Sequence, residues 1–484
     1  AIGLVGSEMC IRDRNIILLH RDLRMHDNPA LFHGTNAEEA LVVYVYDKKY
    51  WQGNGKSTFQ LKFGMDCLKE VSANLKNRNI PLHVFEGNYE ELKNWIEVNF
   101  PKSVIYMNHF TDIGYYRNDS NVFKRFYADQ KRIKIFENFG IQTKNFNRDA
   151  WSFDWQKIMT KPILSEIKTS TPWSTKNIKL NSFEEFSSKL NLNDQMTECQ
   201  IGGETKAFEL MHSFLEERGS GYALKMSSPV EAEFACSRLS AHIAFGSISL
   251  KTVYQSLLET IPNSSFKKDL YSFKKRLHWH CHFIQKLETE PELEFSSMHP
   301  MCDKLRGDGD NEIIEKWIKG ETGFPFLDAC MQFLKKKGWI NFRMRAMIMS
   351  FASYNLWQPW QKTSPLLAQL FVDYEPGIHI CQVQMQSGVT GINLPRIYSV
   401  IKQSKDQDPD ASWIKSQLPQ LREFSADSIH NAELAETYKE IICDPKASAK
   451  KARETIWSMR ANKDFKKLAK DVYLKHGSRM KRRA

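Results

Sequence analysis

The stretch Arg276-Leu277-His278-Trp279-His280-Cys281-His282 puts three histidines and a tryptophan side by side, residue types that bind metals, move protons or stack on planar ligands. Each residue of a helix turns about 100°. His278 and His282 then share a face while His280 points away, which argues against a three-histidine metal site and leaves Trp279, His282 and Phe283 as a ligand-facing stripe. Ala235-Cys236-Ser237-Arg238-Leu239-Ser240 reads as a serine-rich turn entering a helix. Such a turn offers hydroxyls and backbone N–H groups to a phosphate, and it equally describes an ordinary helix cap. Two denser motifs follow, Thr322-Gly323-Phe324-Pro325-Phe326-Leu327-Asp328-Ala329 and Gly338-Trp339-Ile340-Asn341-Phe342-Arg343-Met344-Arg345. Beyond them come Trp357 and Trp360, read as one helical face, and Asp373-Tyr374-Glu375-Pro376-Gly377-Ile378-His379.

These groups need a scaffold. Ile16–Leu19, Leu41–Tyr46, Leu82–Phe85 and Val104–Tyr106 are short apolar runs suited to strands buried on both faces of a parallel sheet. Between the second and third, Leu61, Met65, Leu68, Val71 and Leu75 fall at helical spacing. The alternation predicts an N-terminal doubly wound α/β domain over 15–145. No G-x-G-x-x-G or P-loop follows the first strand. Instead His20-Arg21-Asp22-Leu23-Arg24-Met25-His26-Asp27-Asn28-Pro29 stands there, either lining a ligand crevice or forming a buried ion-pair network. A Lys-, Ser-, Thr- and Asn-rich connection occupies 146–205, and helical patterns dominate 206–484.

Composition sets limits. Hydrophobic content of 42% and charged content of 26% are those of a globular protein. Of the net charge of +11, residues 461–484 carry +7 from nine Lys or Arg against two Asp, so the remainder is only mildly basic. That basic tail suits nucleic acid, anionic lipid or plain solvation. The nine cysteines include no C-x-x-C pair, which fits free thiols in a reducing, cytoplasmic compartment rather than a zinc or iron–sulfur site. No apolar run approaches the roughly 18 residues that span a bilayer, so no membrane partner is expected. Residues 3–14, GLVGSEMCIRDR, match one reading frame of a sequencing-library adapter and are read as an assembly artefact, with the native start missing or near Asn15. Re-sequencing the locus tests this.

With these residues in order, the chain resembles the photolyase/cryptochrome family from Asn15 onward, least in the connection. The likeness rests on RDLRMHDNPAL after the first strand, the SRLS turn, TGFPFLDA, GW-x-x-x-R-M-R, Asp373-Tyr374-Glu375, and D-P-x-x-x-W-I-x-x-x-L-P from Asp408 to Pro419. The resemblance implies an α/β antenna domain, a linker and an all-α catalytic domain holding FAD in a U shape. It implies that Tyr222, Ser237, Arg238, Leu239 and Ser240 hold the FAD diphosphate, that Arg345 pairs with Asp373 beside the isoalloxazine ring, and that Glu375 and His379 lie near its polar edge and N5. Trp279 and Met385 match a pair that sandwiches a flipped pyrimidine dimer, Trp360 matches the middle member of an electron-donating tryptophan chain, and Arg276, His280, Phe342, Arg343 and Arg396 fall on the DNA side. The activity implied is that of a deoxyribodipyrimidine photo-lyase, a carbon–carbon lyase repairing damaged DNA by light-driven electron transfer from reduced FAD, in a monomer.

Several residues depart from the family pattern. Val383 replaces the tryptophan nearest the flavin, His379 the usual asparagine of repair enzymes, Arg276 a lesion-contacting acid and Phe342 a lesion-contacting asparagine. The histidine pair typical of (6-4) repair, expected around Asn341 and Arg345, is absent, which argues against the usual (6-4) mechanism and leaves His280, His282 or His379 as the proton donor of any other arrangement; cyclobutane dimers are favoured because Trp279 and Met385 survive. A cryptochrome-type photoreceptor and a flavin-free nucleic-acid-binding protein are the competing readings. Asn108 stands where some relatives bind folate, but His109-Phe110-Thr111-Asp112 identifies no pigment, leaving a folate, a deazaflavin, a flavin or none as antenna.

Overall fold

Five apolar segments become parallel strands: β1 (Asn15–Leu19), β2 (Ala40–Tyr46), β3 (Leu82–Glu86), β4 (Val104–Asn108) and β5 (Ile133–Phe136), ordered β5-β4-β1-β2-β3. A two-residue strand, β6 (Asn181–Ser182), pairs antiparallel to β3. The computed structural model describes residues 15–478 except 37–38, 54, 145, 166, 168–179, 191, 193–197 and 435–436. The adapter-like leader, part of the linker and the end of the basic tail at 479–484 lie outside these residues. β1 to β4 carry the predicted apolar runs. β5 departs from that pattern because it is an edge strand whose Lys134 and Ile135 face solvent. β6 comes from the linker, so the parallel sheet gains one antiparallel edge.

Helix α1 (Thr58–Lys76) buries Leu61, Met65, Leu68, Val71 and Leu75 against the sheet, as their spacing predicts. Helices α2 (Tyr89–Asn99) and α3 (Gly114–Asp129) flank it, α2 opened by an Asn88–Glu91 capping box. Helix α4 (Trp151–Met159) lies in the linker and buries Trp151 and Trp155. The C-terminal half is mostly helical. Its principal helices are α5 (Lys267–Thr289), α6 (Pro325–Lys337), α7 (Phe342–Ser350), α8 (Trp360–Gln369), α9 (Pro376–Gln386), α10 (Pro445–Ala461) and α11 (Lys463–His476). The basic tail is therefore largely helix, anchored by buried Phe465 and Val472.

Trp357 and Trp360 do not share a helical face. Pro359 lacks an N–H and precedes the first turn of α8, where Trp360 begins the helix. Trp357 sits in the preceding turn at φ +55°, with the Arg306 guanidinium 4.8 Å from its ring. Trp360 turns into the core and donates from Nε1 to Ser297 Oγ at 3.0 Å.

β1 and β4 are neighbours, yet the chain winds away from them in opposite directions, so their C-terminal ends form a topological switch point. The loops leaving both strands meet there in a buried polar network. Asn108 Nδ2 donates to Asp22 Oδ2 and Asn28 Oδ1 at 2.6 and 2.8 Å, and its Oδ1 accepts from Ala30 N. Asn108 is thus fully committed to the protein. The network continues into the helical half: Leu23 N donates to Phe245 O, and Arg24 Nη1 to Gly246 O. Two helices of that half come closer still. Gly377 of α9 lies on the backbone of α5, where a Cβ would sit 2.6 Å from Ile284 Cα.

Candidate functional site

The close crossing of α5 and α9, with α7 beside them, encloses a cavity of about 590 Å³. Its floor is apolar, formed by Met349, Leu367, Phe371 and Val383, with Tyr374, Glu375 and His379 among them. Arg276, Phe342 and Arg396 are exposed at its mouth, and Trp279 and Met385 are half-buried between mouth and floor.

One side of the floor is charged. Arg345 grips Asp373 with two parallel bonds, Nη1 to Oδ1 at 3.0 Å and Nη2 to Oδ2 at 2.9 Å. Its Nε donates to Ile340 O, and its guanidinium lies 4.2 Å from the centre of the Phe371 ring. This bidentate geometry fixes the guanidinium plane. Behind it, the switch-point loops supply Arg21, whose Nη1 is 3.3 Å from Glu375 Oε2. Lys56 and His20 both reach Asp112, at 3.8 and 3.2 Å. Burial pushes the Glu375 carboxyl up to about 7, with Arg21 opposing it. Burial drives the His379 imidazole down to about 4. His379 Nε2 lies 3.0 Å from Ser364 O, a pure acceptor, so Nε2 carries the proton and Nδ1 keeps a lone pair.

The cavity brings together Tyr222, Ser240, Arg276, Trp279, His280, Phe342, Arg345, Asp373, Glu375, His379, Met385 and Arg396 of the residues singled out in the sequence. Ser237, Arg238, Leu239, Arg343 and Trp360 do not line it. Leu239 belongs to the core. Arg238, at φ +61°, lays its guanidinium 3.9 Å above Trp339, a wall residue, and so backs the wall rather than forming it. Its Nη1 is buried without a partner among the described residues, and burial lowers its ionisation to about 10. Trp360 does not line the cavity but packs in the same apolar cluster as Val383.

The histidine stripe divides as helical geometry requires. His278 and His282 face Trp151, with ring centres 5.0 and 5.7 Å away, while His280 packs on Phe139. Burial holds His280 down at about 3, with Arg21 adding to the effect. Two wall residues and one residue behind the wall had no signal in the sequence. Arg148, from the linker, donates through Nη2 to His282 Nδ1 at 2.5 Å and through Nε to Gly477 O at 2.9 Å. His476 and Ser478, at and just past the end of α11, complete the wall. His476 is bonded to Glu290, which also pairs with Lys475 at 2.8 Å. These contacts join residues far apart in the chain, so no local pattern announces them.

The arrangement fits a large, flat cofactor. The volume lies within the roughly 300–1,000 Å³ of cofactor pockets. The apolar floor suits a fused ring, and Glu375 Oε1 and Gln382 Oε1 are buried at the wall without a partner among the described residues. The family profile described as FAD binding domain of DNA photolyase matches residues 273–458, and that of DNA photolyase matches 15–137. A deoxyribodipyrimidine photo-lyase of Alkalihalophilus pseudofirmus is 24% identical over 437 residues, covering 86% of this chain and 89% of that protein. Cryptochrome-1 of Spalax judaei is 24% identical over 441 residues, covering 85% and 74%. The class III photolyase of Agrobacterium tumefaciens shares the fold at a TM-score of 0.81 and 20% identity, covering 95% of this chain and all of that one. The chain belongs to the photolyase/cryptochrome family, and its helical half is an FAD-binding domain.

Proposed function

We propose that the protein is a light-driven DNA repair enzyme that splits pyrimidine dimers, cyclobutane dimers foremost. The observation that carries this reading is the placement of Trp279 on α5 and Met385 on α9, half-buried between the mouth of the cavity and the floor that holds the Arg345–Asp373 pair. An aromatic face opposite a polarisable thioether suits a planar, largely apolar lesion. FAD bound on the floor would supply light absorption and the electron.

The chain's own residues do the rest. Arg276 and Arg396, exposed at the rim, take phosphates and so position the duplex without reading its sequence. Flipping the lesion costs a few kcal/mol, least where damage has already weakened pairing. The Arg345–Asp373 pair would stand beside FAD bound on the floor, with Arg345 fixed as a donor for a buried anion that would otherwise be costly. Met349, Leu367 and Phe371 form the buried apolar floor that would exclude water from it. His379, neutral and bonded to Ser364, offers a lone pair rather than a charge.

Val383 supports a second reading. It lines the cavity where the resemblance would put an oxidisable tryptophan to deliver electrons, and Trp360 belongs to the same apolar cluster, a pattern that suits a cryptochrome-type photoreceptor working without repair. Illumination of the flavin-loaded, fully reduced protein with UV-damaged oligonucleotides separates the two. Restored pyrimidines are expected. No restoration of either major lesion, with light-dependent partner binding, rejects repair in favour of signalling.

A further inference from the structure

His282 is 2% exposed, forms part of the cavity wall and packs edge-on to Trp279, with ring centres 5.0 Å apart and planes at 90°. Its Nδ1 faces Arg148 Nη2 at 2.5 Å. A guanidinium has donors only, so Nδ1 must accept. A neutral imidazole accepting at Nδ1 carries its proton on Nε2, and no group pairs with Nε2 among the described residues. Arg148 is itself held from two sides, by Gly477 O at 2.9 Å and by the face of Trp151, 5.1 Å from its guanidinium carbon. The charges around the ring all oppose a second proton: burial acts first, then Lys286 and Arg148, with His278 and His476 adding to them.

Resting on the repair reading above, we propose that His282 is a lesion-contacting residue whose Nε2–H, locked in that tautomer by Arg148, donates a hydrogen bond to a ring carbonyl of the flipped pyrimidine stacked on Trp279. The carbonyl oxygens are the acceptors a pyrimidine dimer presents at its edge, and Trp279 orients that edge across the His282 ring. His282 is thereby a donor without a charge. It does not act as an imidazolium acid. Arg148 is a positioning residue that works through His282, which gives the linker a direct part in choosing the substrate.

Two readouts test this on the full-length, flavin-loaded protein. Nitrogen-15 NMR of the histidines in the dark is expected to show His282 as the neutral Nε2–H form from pH 8 to pH 5. In Arg148→Met the ring is expected to sample both tautomers and to titrate, and in Arg148→Lys the lock is expected to return. Dark binding of dimer-containing and undamaged oligonucleotides is the second readout. Loss of one neutral hydrogen bond predicts a fall in discrimination of about 3- to 10-fold for His282→Phe. Recovery is expected in His282→Gln, which restores an N–H donor. KM for the damaged strand should rise in His282→Phe and return toward the wild-type value in His282→Gln. An Nδ1–H tautomer, or full discrimination in a folded His282→Phe, overturns this inference alone. A wild-type protein without preference for the damaged strand overturns both this inference and the repair reading.

Discussion

On the floor of the cavity Arg345 is paired with Asp373, and behind it Arg21 reaches Glu375 while Lys56 and His20 reach Asp112. At the mouth, Arg276 and Arg396 are exposed, the Phe342 ring is 44% exposed, and the His282 Nε2 has no protein partner among the described residues. The floor is organised in advance around one ligand that stays. The mouth keeps its bonding capacity for one that comes and goes. Preorganised charge costs nothing to arrange when the ligand arrives, whereas an exchanging ligand is held by stacking and by donors left open for it.

The largest expected effect tests the floor. Asp373→Asn breaks the bidentate clamp, whose charge-assisted bonds are worth about 1.5–3 kcal/mol each. The purified variant should lose most of its flavin absorbance, and retention of a full complement of flavin would show that the floor is not the seat. Trp279→Ala tests the mouth. Base–aromatic stacking contributes about 1–3 kcal/mol, so affinity for damaged strands should fall by one to two orders of magnitude while flavin absorbance is unchanged. Loss of flavin in this variant would erase the distinction between the two regions.

Gly377→Ala touches both at once. The new methyl would press on the backbone of Ile284 at 2.6 Å, and overpacking of this kind costs about 1–3 kcal/mol. The melting temperature and both affinities should fall together. The smallest effect concerns Glu375. Its carboxyl is held up at about 7 against an ordinary 4.5. Between those values the unfolded chain ionises while the folded one keeps its proton, so stability drains as pH rises and levels off above about 7. Glu375→Gln lacks this loss. Its melting temperature relative to wild type should therefore climb between pH 4.5 and 7 and then stay level, and a flat difference would place the charge seam elsewhere.

Much of this could be read from the sequence wherever one residue's neighbours in the chain are also its neighbours in space. β1 to β4 and α1 follow from local apolar patterning, and the faces taken by His278, His280 and His282 follow from helical pitch. β5 was hidden by its exposed Lys134, and the path past Trp357 by the way Pro359 resets the chain. The charged run after β1 left two readings open, and its side chains are buried in ion pairs and hydrogen bonds that tie the two halves together. Arg148 carried no signal, since its partner His282 lies 134 residues away. Arg238 shows the opposite failure: it stands in a recognisable turn, yet its side chain backs Trp339 instead of facing the cavity.

The bond from Arg148 to Gly477 joins residues 329 apart, and His476 and Ser478 complete the wall that Tyr222 and Trp279 begin. A chain made from its N-terminus forms the sheet and most helices before that wall can close. The pocket is therefore among the last features to assemble, and contacts of such long range are slow to find. A ligand that binds only the closed wall draws the equilibrium toward the finished molecule. In a cell, the yellow colour of a bound flavin would mark the chains that have completed folding, with cofactor supply deciding how many persist.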